Sequence, residues 1–69
     1  MMNDEVFNLS IRKFLKTVGI RSQHEIEQAV TKAIAQGKIS GKESFPASMN
    51  LRIGGLKLDV EFDGEINLE

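Results

Sequence analysis

The feature that most constrains the fold is a change of hydrophobic period at Gly37. Before Gly37 the apolar residues recur every three or four positions, which predicts helices, and after it they alternate, which predicts strands. One such change along a chain of 69 residues favours a single α+β domain with its helices and strands in separate segments. We therefore expect one domain over residues 1–69, built from an αα unit (4–36), a polar loop (37–44) and a β-meander (45–69).

The helical half is predicted to hold two helices, at about 4–18 and 23–36. The first helix carries one apolar stripe, made of Phe7, Ile11, Phe14, Leu15 and Val18. Gly19 follows this stripe and is a natural residue to end a helix. Ser22 and Glu25 then match a capping box, in which the two side chains satisfy free amides at the start of a helix. The sequence therefore predicts a second helix that ends at Gly37.

The second half is predicted to form three antiparallel strands, at about 45–53, 56–62 and 65–69. Apolar residues are odd-numbered in the first strand and even-numbered in the second, so a two-residue turn at Gly54-Gly55 places them on one face. For the second turn, a three-residue loop over 62–64 keeps Ile66 and Leu68 on that face, and we favour it over a two-residue turn. Both helices are expected to cover the apolar face of this meander.

The composition offers little for catalysis. The chain has no Cys and no Tyr, and His24 is its one histidine, so the usual nucleophile and base pairs are missing. We expect His24 to be exposed and idle, and the protein to be no enzyme and to need no cofactor or metal. Four acidic residues alternate near the end of the chain: Asp59, Glu61, Asp63 and Glu65. We interpret them as a solvated strand face, and rank a carboxylate-based enzyme or a cation site third among the possible functions.

Two motifs resemble nucleotide or nucleic-acid sites. The segment 37–44 looks like a phosphate-binding loop, but its glycines are too close together, Glu43 follows Lys42, and the segment follows a helix. A helix, a glycine-containing turn and a second helix outline a DNA-binding helix-turn-helix, yet Leu15 and Glu25 stand where that motif has a small and a branched residue. We keep nucleic-acid association as the alternative function, ranked well below the first. Its basic contacts would be Arg12, Lys13, Lys16 and Arg21.

The first-ranked function is that of a small interaction or accessory module without enzymatic activity. A short chain has a thin core, and association supplies the missing burial. The first predicted helix also presents a second surface, which we call the outer face: Met2, Val6, Leu9, Lys13 and Lys16. We expect the protein to form a homo-oligomer, or to bind an unidentified protein partner, through this outer face or through a sheet edge.

The location and relatives of the chain are predicted from its segments. No apolar run is long enough to span a membrane, and the first residues are acidic where a secretory signal would be basic, so we expect a cytoplasmic protein. The segments NDEVFNLSIRKFLK-x-VG, SQHEIEQAV and VEFDGEI resemble a family of short uncharacterised bacterial proteins. That resemblance covers the whole chain and implies no activity, ligand or site residue. The terminal Leu68-Glu69 fits either a native strand or a purification tag.

Overall fold

The computed structural model describes all 69 residues and contains one helix and one antiparallel hairpin. Helix α1 spans Asp4–Ala35. It begins after Asn3, whose side chain accepts a hydrogen bond of 3.1 Å from the backbone amide of Val6. Gln36 caps its other end, and Gly37 follows in the left-handed conformation with φ 71°. A capping asparagine and a terminating glycine therefore define the ends of α1.

The prediction of two helices at 4–18 and 23–36 is wrong, because α1 continues through Gly19. Gly19 does not take the positive φ that ends a helix. The physical reason is the phase of the apolar residues: Val18 and Ile26 are eight apart, so the stripe of the first predicted helix continues on the same side of one continuous helix, with Ser22 between them. A break at Gly19 would leave amides and carbonyls on both sides without partners, whereas glycine inside a helix costs about 1 kcal/mol.

The predicted meander at 45–53, 56–62 and 65–69 is also wrong, because the sheet has two strands. Strand β1 spans Ser44–Ile53 and pairs antiparallel with strand β2, which spans Leu58–Asn67. The two strands are connected by a 3-10 turn at Gly54–Leu56, followed by Lys57, whose backbone is left-handed with φ 53°.

The register explains why alternation alone predicted a different pairing. A two-residue turn places Leu51 opposite Leu58, whereas the observed four-residue connection places Leu51 opposite Val60. Because this is a shift of two positions, every side chain stays on its predicted face. Asp63 and Gly64 then continue β2 instead of turning, and Gly64 lies opposite Ala47.

The chain divides into two units, Met1–Gln36 and Gly37–Glu69. The first consists of α1, and the second of the loop and the hairpin. No side chain in either unit is buried. A lone helix cannot cover its own stripe, and a two-stranded sheet cannot cover its own face. The single-domain organisation therefore stays a prediction, and the apolar surfaces of both units are exposed.

Candidate interaction surfaces

The larger apolar surface of α1 is a stripe that runs along nearly the whole helix. It consists of Phe7, Ile11, Phe14, Leu15, Val18, Ser22, Ile26, Ala29, Val30 and Ala33. Large side chains of this stripe are open to solvent: Phe14 is 53% exposed and Leu15 is 55% exposed. The smaller Val18, Ser22, Val30 and Ala33 are partly covered. A continuous exposed stripe of this length is a candidate contact surface, since isolated exposed residues alone would not need an explanation.

The hairpin presents a second apolar surface, which we call the sheet face. Its members are Phe45, Ala47, Met49, Leu51, Ile53, Leu58, Val60, Phe62 and Ile66. They come from alternate positions of both strands, and the opposed pairs Met49 with Phe62 and Leu51 with Val60 form its centre. Phe62 is 57% exposed. A two-stranded hairpin is marginal by itself in water, so this face needs a covering partner.

The outer face lies opposite the stripe on α1. Val6 and Leu9 are well exposed, Leu9 at 68%. Met2 precedes the helix, while Lys13 and Lys16 extend the outer face along it. Ile20, which sequence reasoning missed, is also exposed and continues the outer face. It follows Leu9 by eleven residues, which is about three helical turns, so the two side chains lie on the same side of α1. The role of the outer face in binding stays a prediction.

The four basic residues assigned to nucleic-acid contact are divided by the continuous helix. Lys13 and Lys16 lie on the outer face, whereas Arg12 and Arg21 lie on opposite flanks of the helix, each at an edge of the stripe. No turn at Gly19 separates a recognition helix from a supporting one. Nucleic-acid association stays a prediction, without the helix-turn-helix geometry that first suggested it.

The acidic residues of β2 alternate along the polar face of the hairpin. At one end, Arg52 Nε lies 3.6 Å from Asp59 Oδ2, and Asn50 Nδ2 donates a hydrogen bond of 2.9 Å to Asp59 Oδ1. The Arg52 and Asp59 side chains are 75% and 61% exposed, so this ion pair contributes little to stability. No three acidic or histidine side chains converge into a group that could hold a metal ion. The carboxylate enzyme and the cation site stay untested predictions.

The loop between α1 and β1 is organised around the carboxylate of Glu43. The backbone amides of Ser40 and Gly41 each donate to it at 2.9 Å, and that of Lys42 at 3.0 Å. The Ser40 hydroxyl donates a further hydrogen bond of 3.2 Å. These hydrogen bonds, above all the one from the Ser40 amide, lower the pKa of Glu43 from 4.5 to about 2. The amides that a bound phosphate would need are therefore occupied by the chain's own side chain.

His24 lies on the polar side of α1, at the edge of a shallow depression. The other residues that line it are Glu27, Gln28, Thr31, Lys32 and Ala35. All of them belong to one helix, so the depression has a floor but no opposing wall. An enclosed site that could exclude water or orient a substrate needs a second wall, which this helix alone does not supply.

No helix of the protein has the length and apolar character needed to cross a membrane. The sequence profile of a family of unknown function, DUF6494, matches residues 2–69. This match confirms the predicted resemblance to a family without an assigned activity. No curated protein and no solved structure matches the chain significantly.

Proposed function

Since the chain belongs to the DUF6494 family, whose function is unknown, we propose a function from its surfaces: a non-enzymatic interaction module that acts as a homo-oligomer. The observation that carries this proposal is the absence of any buried side chain, together with two continuous apolar surfaces. An amphipathic helix and an amphipathic hairpin reach stability by covering these surfaces. Self-association provides such a cover without another protein.

Sedimentation equilibrium of the full chain tests the proposal. We expect a mass above that of one chain down to micromolar concentration, together with a folded circular dichroism spectrum. A folded monomer would contradict it, because the helix and hairpin would then cover each other within one chain.

A matched pair of substitutions identifies the surface that associates. Phe14 belongs to the stripe and Leu9 to the outer face, and both are about half exposed or more. We expect Phe14→Ser to weaken association by about tenfold or more, because burial of a phenylalanine contributes about 1.5–3 kcal/mol. Leu9→Ser serves as the control for the stripe. If Leu9→Ser alone dissociates the oligomer, the outer face is the interface instead.

A further inference from the structure

The side chains of the α1 stripe become smaller from its N-terminal end to its C-terminal end. Its N-terminal half carries bulky side chains, at Phe7, Ile11, Phe14 and Leu15. Its C-terminal half is built mainly from smaller ones, at Ser22, Ala29, Val30 and Ala33, with Ile26 among them. Because of this decrease in side-chain size, the helix does not pack evenly against a copy that runs in the same direction. Phe7 would then face Phe7 while Ala33 faced Ala33, although paired helices keep a nearly constant distance of about 8–10 Å.

An antiparallel copy reduces this mismatch, because the bulky Phe7 and Ile11 then face the small Ala33 and Ala29. One register brings four stripe positions into opposition at once: Phe7 with Ala33, Ile11 with Ala29, Phe14 with Ile26, and Val18 with Ser22. Eight of the ten stripe positions match in this way, because their spacings read the same from either end. The other two, Leu15 and Val30, fall opposite Glu25 and Ser10. A two-fold axis between the helices at the level of residue 20 therefore superposes most of the stripe of each copy on that of the other.

The terminal charges of α1 agree with this arrangement. The first turn of α1 is acidic, at Asp4 and Glu5, and its last turn carries Lys32. Antiparallel pairing brings these opposite charges into neighbouring turns, whereas a parallel pair would place Asp4 and Glu5 beside their own copies.

We propose that the stripe of α1 is covered by the same stripe of a second, antiparallel copy, with the two-fold axis between the two helices at the level of residue 20. This pairing rests on the proposed self-association and gives it a partner, a direction and a register. The exposed stripe, which runs along nearly the whole of α1, supplies the surface that such a dimer needs.

Single cysteines test the pairing, because the chain contains none of its own. In the antiparallel register, Ser22 lies about 6 Å along the axis from its counterpart, whereas Ala33 lies about 39 Å from its own. A short thiol cross-linker should therefore join two copies of Ser22→Cys and fail to join two copies of Ala33→Cys. Both substitutions are small, and sedimentation with circular dichroism shows that each variant still folds and associates.

A mixture of two variants tests the register itself. Ile11→Cys and Ala29→Cys face each other across the proposed pair, so the mixture should yield a cross-linked dimer. Each variant alone should give little product, since its two thiols are about 27 Å apart along the axis.

The outcomes separate the two proposals. Efficient cross-linking of Ala33→Cys would establish a parallel pair and overturn the antiparallel inference, while self-association would stand. If the protein is an oligomer but neither Ser22→Cys nor the mixture of Ile11→Cys and Ala29→Cys is cross-linked, the interface lies on another surface. That result would also overturn the antiparallel inference and leave self-association standing. A folded monomer in sedimentation would overturn both proposals.

Discussion

At the scale of single residues, Glu43 is the side chain with the most hydrogen bonds to the backbone. Its carboxylate accepts from three successive amides and one hydroxyl. Sequence reasoning identified the glycine-containing loop but related it to phosphate binding. Which acceptor the loop amides use depends on the backbone path, and that path is not encoded in the spacing of glycines. The same residues therefore form an internal turn and not an anion site.

The pKa of Glu43 predicts a pH dependence of the loop. Its pKa in the folded chain, about 2, lies below the ordinary value of 4.5, so the hydrogen bonds contribute stability that is fully present above about pH 4.5. This contribution is lost as the pH falls from 4.5 towards 2. Carbon NMR of the side-chain carboxyl should show Glu43 titrating at the low end of this window.

The matched variants for Glu43 are Glu43→Gln and Glu61→Gln. We expect Glu43→Gln to loosen the loop at neutral pH, seen as faster hydrogen exchange of the Ser40 to Lys42 amides, because an uncharged amide oxygen is a weaker acceptor. Glu61→Gln, on the polar face of the hairpin, should leave that exchange unchanged. Equal exchange in both variants would show that the Glu43 carboxylate does not hold the loop.

At the scale of secondary structure, the sequence predicted the kinds of element better than their number. The change of period at Gly37 does separate helix from strand. Gly19 and the Ser22 to Glu25 pattern are local signals of a helix boundary, but the phase of the stripe from Val18 to Ser22 is a longer-range signal and it prevails. For the hairpin, a shift of two positions preserves the face of every side chain, so alternation could not choose the register.

Substitutions of Gly19, inside α1, and of Gly37, just beyond its end, test whether the helix is continuous. An added Cβ at Gly19 meets nothing within 4 Å, so Gly19→Ala should stabilise the protein by about 1 kcal/mol. Gly37→Ala should instead destabilise it by about 1 kcal/mol, because Gly37 has a positive φ. Thermal unfolding at one fixed protein concentration compares the two variants. If Gly19→Ala destabilised the protein instead, the result would support the predicted helix boundary at Gly19.

Gly64 provides a similar test for β2. In the observed strand it lies opposite Ala47, without a positive φ and with open space around it. Gly64→Ala should therefore stabilise the hairpin by roughly 0.5–1 kcal/mol, the usual cost of glycine in a strand interior. In the predicted three-residue loop, Gly64 would need a left-handed conformation, and the same substitution would destabilise. The sign of the change in urea unfolding distinguishes the two turns.

At the scale of the whole molecule, folding and association are expected to be one process. Neither unit buries a side chain, so the helix and the hairpin both lack the core that stabilises them as isolated elements. For a dimer, each tenfold dilution should then lower the apparent free energy of unfolding by about 1.4 kcal/mol. Circular dichroism should show the melting temperature falling with dilution, with the Phe14→Ser variant melting lower at every concentration. A melting temperature that does not change over a hundredfold range of concentration would mean that one chain covers its own apolar surfaces.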